Sequence, residues 1–214
     1  MSQALIETSP RKSPRQARSR ATFDTILQAA AQVLIAVGYE RATTARIAEH
    51  AGVSVGSLYQ YFPNKEALVA ALIDRHAQDI ISVTSQAIAL ARDRPLKEGL
   101  RAVVRAGLDA HRIAPALHKI LVEQVPRVGR IAEAMDTSRR LSDLLHHLFR
   151  AHVDELAPGR DPSIAALLIE VSLEAMTHKM VLERPELLND GVVELQMYEL
   201  CASYLLRDAS PSRG

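Results

Sequence analysis

The sequence contains a single cysteine, Cys201, which excludes an intramolecular disulfide framework. Tryptophan is absent, aromatic residues make up only 4% of the chain, and no run of alternating β-branched residues occurs. Alanine, leucine and arginine are abundant, so the composition favours an all-α protein. The sequence also lacks an apolar run of the roughly 20 residues that a bilayer requires, and its N-terminus has no apolar signal core. We therefore expect a cytoplasmic protein without a membrane segment.

The sequence lacks the short patterns that mark common enzyme sites. It has no P-loop, no dinucleotide-binding glycine pattern and no nucleophile elbow. The histidines have no H-E-x-x-H spacing, and Pro115 interrupts the path between His111 and His118. Glu170 and Glu174 resemble an acid–base pair, but two acids four residues apart more often form a solvated stripe. The alternatives are that they line a pocket or face an arginine across a dimer. We predict no catalytic residue, no metal and no cofactor.

The charge is small in total but unevenly distributed. The formal net charge is +1, whereas the first 20 residues contain five basic residues and one acidic residue. A basic end on a slightly acidic body is typical of a protein that places one end on an anionic polymer. Residues 1–17 are rich in Ser, Pro and Arg and are predicted to form a disordered arm. That arm either only aids solubility or contacts phosphates or the minor groove.

Residues 43–65 predict two short helices joined by a tight turn. Thr43 or Thr44 can cap the first helix with its side-chain oxygen, and Gly52 ends it in the left-handed conformation. Ser54 caps the second helix. This arrangement predicts a helix-turn-helix, whose second helix enters the DNA major groove. The alternative is a plain helical hairpin.

The residues around this motif extend the pattern in colinear order. They are Ile26-Leu27-Gln28-Ala29-Ala30, Gly38-Tyr39, Thr43-Thr44, Ile47-Ala48, Ala51-Gly52-Val53-Ser54, Gly56-Ser57-Leu58-Tyr59, Tyr61-Phe62 and Asn64-Lys65-Glu66-Ala67-Leu68. Over about residues 19–70 this set closely resembles the N-terminal domain of TetR-family transcriptional regulators. The resemblance implies a homodimeric, all-helical regulator with a C-terminal ligand domain. It does not identify the ligand.

The predicted DNA contacts lie on and around the second helix of the motif. Small residues at its start permit close approach to base edges and phosphates, while a tyrosine hydroxyl and the Lys65 ammonium suit the phosphate backbone. The residues are Thr43, Thr44, Ser54, Val55, Gly56, Ser57, Tyr59, Tyr61 and Lys65.

Helical periodicity, with proline and glycine at the boundaries, predicts helices over most of the remaining chain. Their approximate ranges are 19–37, 64–93, 95–113, 115–124, 128–156, 161–184 and 190–207, and the tail from Asp208 is expected to fray. The predicted organisation is a basic arm (1–17), a three-helix helix-turn-helix domain (18–65) and an effector-binding and dimerisation domain (66–208).

The last two helices each carry apolar residues on two faces. In 161–184, one face is Ile164, Leu167, Leu168, Val171 and Ala175, and the other is Ile169, Leu173, Met176 and Met180. In 190–207, one side is Val193, Met197, Leu200, Cys201 and Tyr204, and Val192, Leu195, Leu205 and Leu206 extend it. Because a surface helix needs only one apolar stripe, we predict a two-fold four-helix dimer interface. The alternative is a helix buried inside a monomer.

A ligand pocket within 95–184 is implied mainly by the resemblance. Its candidate contacts are His111, Met135, Phe149, Glu174, Met176 and Met180. Methionines suit adaptable cavities, although core packing explains the methionines and the phenylalanine equally well. The lack of a charged cluster favours an apolar or amphipathic effector.

These observations predict a TetR-like DNA-binding transcriptional regulator. The specific hypothesis is a homodimeric repressor that a small-molecule effector releases from a pseudo-palindromic double-stranded DNA operator. An activator is the alternative within the same class. A ligand-processing enzyme or an adaptor on the same helical scaffold is the alternative from another class.

Overall fold

A computed structural model of the chain describes Pro10, residues 17–126 and residues 131–207, with the side chains of residues 131–135 left out. The α-helices are α1 (Ala17–Arg41), α2 (Thr44–His50), α3 (Val55–Tyr61), α4 (Lys65–Ala91), α5 (Leu96–Arg112), α6 (Pro115–Glu123), α7 (Ile131–Ala151), α8 (Pro162–Glu183) and α9 (Gly191–Leu205). Short 3-10 helices span Val153–Glu155 and Pro185–Asn189. The all-α prediction is confirmed. Nearly all of the predicted arm, and the tail from Asp208, lie outside the described residues.

Two compact units divide the chain. The first contains residues 1–77 and 116–133, and the second contains residues 78–115 and 134–214. The functional division at residues 65 and 66 stays a prediction, because this grouping reflects spatial proximity and not activity.

The first unit is built on the apolar stripe of α1. Ile26, Ala30 and Leu34 are fully buried there, as their helical spacing predicts. Phe62, which follows α3, is also fully buried, and its ring centroid lies 4.9 Å from that of Phe23. Aromatic contacts of this kind fix α3 against α1.

At Gly38 the helix α1 is kinked, and the next residue contacts Gln124, which is distant in the sequence. The prediction that the helix closes at Gly38 was incomplete, because the chain resumes helical structure to Arg41 after a kink with φ of +76° at Gly38. The Tyr39 backbone N–H donates to Oε1 of Gln124 at 2.9 Å. The backbone conformation favours glycine, and a Cβ atom at residue 38 would lie 2.9 Å from the same oxygen, so a larger residue would also displace the Gln124 side chain.

Within the described ranges, α1 is the one helix that is long and apolar enough to cross a membrane by length and composition. Its apolar stripe packs into the core of the first unit. This helix qualifies the prediction from the sequence that no apolar run is long enough to span a membrane.

The second unit encloses its core with α5, α7, α8 and α9. Leu100, Leu108, Phe149 and Leu205 are fully buried there. Asp161 caps α8, since its carboxylate accepts from the backbone N–H groups of Ser163 and Ile164 at 2.9 Å. Pro162 follows at the first helical position, as predicted.

The connection after α7 differs from the prediction of one helix over 128–156. The helix ends at Ala151, and a short 3-10 turn follows. Within that turn Glu155 accepts a hydrogen bond from the Leu96 backbone N–H at 2.8 Å, which ties it to the start of α5. This long-range hydrogen bond leaves no signal in the local helical pattern.

Candidate DNA-binding surface and ligand cavity

Local hydrogen bonds define the two short helices and the turn between them. The Arg46 backbone N–H donates to Oγ1 of Thr43 at 3.2 Å, and the Ser57 backbone N–H donates to Oγ of Ser54 at 3.0 Å. These bonds satisfy free donors at the starts of α2 and α3. Gly52 has a φ of +65° and turns the chain between the helices. The structure therefore forms the predicted helix-turn-helix.

One face of α3 is open to solvent and carries small side chains. Val55 is 41% exposed and Tyr59 is 40% exposed, whereas Leu58 on the opposite face is fully buried. The Tyr59 hydroxyl pairs with Oγ1 of Thr44 at 3.1 Å, which orients the ring against α2. The result is a narrow helical ridge whose first turn has no bulky side chain and whose middle holds an aromatic hydroxyl.

Lys65, at the start of α4, is held by the end of α1. Its Nζ donates to the Tyr39 carbonyl at 3.1 Å and lies 4.0 Å from the centre of the Tyr39 ring. An ammonium group has three donors, so this contact positions Lys65 and leaves further donor capacity for an anion.

A cavity of about 80 Å³ lies within the second unit. Its walls come from the C-terminal half of α4 and from α5, α7 and α8, and they divide into an apolar and a polar side. The apolar side includes Ile80, Val103, Leu141, Leu145 and Leu173. The polar side is Thr84, His111, Thr137, Ser138, Glu170, Glu174, Thr177 and His178.

Glu170 is the most unusual residue of this wall. It is only 4% exposed, and neither carboxylate oxygen has a hydrogen-bond partner of normal geometry among the described residues. Burial raises the pKa of Glu170 to about 7; the Ser138 hydroxyl lowers this pKa in part, and the charge of Glu174 raises it further.

Burial also shifts the pKa values of the neighbouring titratable groups. Burial raises the pKa of Glu174 above its usual value. Burial also lowers the pKa of His111 to about 4, against an opposing hydrogen bond to the Gly107 carbonyl, and His178 lowers it further. His111 is therefore neutral near pH 7. The described lining residues include no lysine or arginine, so the carboxyl groups dominate the charge of the cavity.

Comparison with known proteins matches both parts of the chain to one family. Residues 26–72 match the family described as "Bacterial regulatory proteins, tetR family", and residues 95–205 match "Tetracyclin repressor-like, C-terminal domain". The second match alone covers more than half of the chain. The chain belongs to the TetR family. It is a DNA-binding transcriptional regulator, and the prediction of that class is confirmed.

The chain is also similar to individual proteins that are described as transcriptional regulators. It is 27% identical over 187 residues to the uncharacterized HTH-type transcriptional regulator Mb2936c of Mycobacterium bovis, covering 81% of this chain and 90% of the relative. It is 38% identical over 84 residues to the transcriptional activator FasR of Mycolicibacterium smegmatis, covering 39% of this chain. The match spans only 37% of FasR, about a third of its length.

A solved structure supports the fold. The chain is similar to SmeT, the repressor of the Stenotrophomonas maltophilia multidrug efflux pump SmeDEF, with a TM-score of 0.69 and 24% identity. The match covers 89% of this chain and 93% of SmeT. At this identity the similarity establishes the helical architecture.

The structure places most of the predicted DNA contacts of this TetR-family protein on one accessible surface. Seven lie on or beside the helix-turn-helix and are accessible to solvent: Thr43, Ser54, Val55, Gly56 and Tyr59 are exposed, and Thr44 and Ser57 are partly buried. Thr43 and Ser54 also serve as helix caps. Contact with DNA stays a prediction for all of them.

Tyr61 is the exception among these residues. It is 8% exposed, its hydroxyl pairs with Oγ of Ser19 at 3.1 Å, and its ring packs edge-on against Phe23. We correct its placement to the core, because it lies one helical turn after the buried Leu58. Sequence reasoning also omitted Arg46, an exposed cation on α2 whose Nη1 donates to the Arg41 carbonyl at 3.2 Å. Its signal was a basic residue on the exposed face of the first motif helix.

The predicted ligand contacts separate into two groups. His111 and Glu174 lie on the cavity wall. Phe149 and Met180 belong to the hydrophobic core, and Met176 packs against it. These three residues do not line the cavity, whose apolar side consists of aliphatic residues, and their contact with a ligand stays a prediction. The side chain of Met135 lies outside the described part of the chain.

The polar wall contains residues that sequence reasoning did not select as ligand contacts. Thr137, Ser138, Thr177 and His178 have no sequence signal of their own. Glu170 has one, because it interrupts an apolar stripe on α8. Ala166, Leu173 and Thr177 lie on the same buried face of that helix, so an acidic residue among them is unexpected.

The two-faced character of α8 is visible in the structure. Ile164, Leu167, Leu168 and Val171 are between 46% and 58% exposed, whereas Ile169, Leu173 and Met180 are buried. On α9, Val192, Leu195 and Leu200 are exposed, and Met197, Cys201 and Leu205 are buried. The predicted grouping on α9 is therefore corrected. Leu200 belongs to the exposed face, and Leu205 belongs to the core.

Proposed function

We propose that this TetR-family regulator is a homodimeric repressor that leaves a two-fold symmetric operator when a small-molecule effector enters the cavity lined by Glu170. The observation that carries the proposal is the combination of an exposed helix-turn-helix in the first unit with a partly polar cavity in the second.

The exposed apolar face of α8 and α9 supports the dimer. Leu167, Val171, Val192 and Leu200 are each 48–61% exposed. Large exposed apolar patches on soluble proteins mark interaction sites. A second copy provides a complementary apolar surface through two-fold symmetry. A two-fold dimer presents two copies of α3, and this arrangement favours an operator with two related half-sites.

The size of the cavity supports regulation by a change of conformation. Its volume of about 80 Å³ is well below the roughly 300–1,000 Å³ of typical ligand sites. A drug-sized effector therefore binds a widened conformation better than the present one. Because a ligand shifts an equilibrium only by its unequal affinity for two states, this difference supplies the free energy that releases DNA.

The proposal also places the protein in the cytoplasm, where an operator is accessible, and assigns it no catalytic activity. The second candidate is an activator, which is favoured by the 38% identity to the activator FasR over 84 residues. Both candidates use the same DNA contacts and differ only in the effect of binding on transcription.

Selection from a pool of random DNA duplexes, followed by a reporter assay with the selected site, tests the proposal. We expect a site with two-fold symmetry, lower reporter expression when the protein is present, and a lower operator affinity when an effector is added. Increased expression would establish the activator. Binding without sequence preference would contradict the proposed function as a whole.

A further inference from the structure

We propose that the effector carries a cationic nitrogen, such as a protonated amine, on an apolar body, and that the Glu170 carboxylate is the anchor for that group. This inference rests on the proposed function only in calling the ligand an effector; the cavity and its chemistry stand independently. The chemical class follows from three features of the cavity.

The first feature is the uncompensated carboxylate. Glu170 is 4% exposed, and both oxygens are buried without a hydrogen-bond partner of normal geometry among the described residues. Burying a charged or polar group in this way destabilises the folded protein, and native structures contain few such groups. Nothing in the packing of α8 requires a carboxylate at this position. A bound donor satisfies both oxygens.

The second feature is the charge of the wall. Glu174 lies one helical turn from Glu170 and also lines the cavity, and the described lining residues contain no lysine or arginine. His111 and His178 line the same cavity, and burial keeps His111 neutral near pH 7. Two carboxyl groups on a wall whose described residues include no lysine or arginine favour a cation over an anion. A neutral donor forms a hydrogen bond but leaves the charge uncompensated.

The third feature is the apolar opposite wall. Ile80, Val103, Leu141, Leu145 and Leu173 line it. A ligand that meets both walls therefore needs an apolar body with one cationic end, and this sharpens the expectation of an apolar or amphipathic effector. Because burial raises the pKa of Glu170 to about 7, part of the population holds a proton near neutral pH. Cation binding favours the ionised form and releases that proton to the buffer.

Isothermal titration calorimetry with three matched probes tests the inference without DNA. The probes are 4-phenylbutylamine, 4-phenylbutan-1-ol and 4-phenylbutanoate, which share the ring and chain and differ in the charge of the end group. We expect the wild-type protein to bind the amine at least tenfold more tightly than the alcohol, a difference of about 1.4 kcal/mol, and to bind the carboxylate most weakly. Titrations in buffers of different ionisation enthalpy should show proton release for the amine alone.

Glu170→Gln keeps the shape of the side chain and removes its charge. The variant should lose at least tenfold in amine affinity and change its alcohol affinity by less than about threefold. Glu183→Gln is the matched control, because Glu183 lies on the same helix, is exposed and pairs with Lys179 at 2.8 Å. This control should bind all three probes like the wild type. If Glu170→Gln does not fold, the comparison of probes on the wild type still decides the question.

Equal affinity of the wild type for amine and alcohol would overturn the proposal, as would full amine affinity in a folded Glu170→Gln protein or no binding of any probe. A failure of the protein to bind DNA would overturn the proposed function and leave these titrations unaffected. The two results are therefore distinguishable.

Discussion

Glu170→Gln should change how the stability of the protein depends on pH. The pKa of Glu170 is raised from 4.5 to about 7, mainly by burial. Below pH 4.5 the folded and unfolded states both hold the proton, so the group has no pH-dependent effect. Between pH 4.5 and 7 the unfolded state releases the proton while the folded state retains it, and the free energy of unfolding falls as the pH rises. Above pH 7 the loss is complete.

The expected magnitude follows from the size of that change. At 1.36 kcal/mol for each unit of pKa, the shift corresponds to roughly 3 kcal/mol of stability that the wild type loses between about pH 4 and pH 8. Glutamine does not titrate, so the variant lacks this contribution. The free-energy cost of burying the glutamine amide does not vary with pH, so it cancels when the stability at pH 4 is compared with that at pH 8. Glu174 still titrates in both proteins.

Urea unfolding followed by circular dichroism between pH 4 and pH 8 measures the effect. We expect the stability of Glu170→Gln relative to the wild type to improve by about 3 kcal/mol across this range, whereas Glu183→Gln remains within about 0.5 kcal/mol, as exposed substitutions usually do. The reasoning from a buried carboxylate would be refuted if the free energies of unfolding of Glu170→Gln and the wild type differed by the same amount at pH 4 and at pH 8.

Three further variants test other parts of the structure. Lys65→Ala should weaken specific and non-specific DNA binding alike and reduce the slope of log affinity against log salt by about one per protomer; an unchanged slope in DNA titrations would limit Lys65 to its structural contact with Tyr39. Leu168→Asp combined with Val171→Asp should give monomers or insoluble protein, because the dimer would bury unpaired charges; an intact dimer in sedimentation velocity would remove these residues from the interface. Gly38→Ala should lower the free energy of unfolding by about 1–3 kcal/mol, because Gly38 has a φ of +76° and a ψ of 169°, a backbone region that is nearly restricted to glycine; an unchanged urea midpoint would contradict this explanation.

The features that depend on neighbouring residues were predicted well from the sequence. The caps at Thr43, Ser54 and Asp161 and the turn at Gly52 are set by side chains within a few residues of the backbone groups that they serve. The spacing of apolar residues likewise predicted the helices, because burial of one face imposes a period of 3.6 residues.

The features that depend on distant residues were not predicted. The structure after Gly38 includes a hydrogen bond to Gln124, 85 positions away. The cavity wall combines side chains from four helices, and periodicity does not show which apolar face meets a cavity and which meets the core. Phe149 and Met180 were therefore assigned to the pocket although they pack in the core. Glu170 was recognisable in principle, as an acidic residue within an apolar stripe.

The central claim, that α3 of each protomer reads one half of a symmetric operator, is tested most directly by titrating the selected operator with all its single-base variants, for the wild type and for Ser57→Ala. We predict that the wild type binds the complete operator far more tightly than an isolated half-site. Ser57→Ala should lose discrimination of roughly 1–3 kcal/mol at one base pair in each half-site, at symmetric positions. Equal affinity for the half-site and the complete operator, together with unchanged base preferences in Ser57→Ala, would contradict the claim.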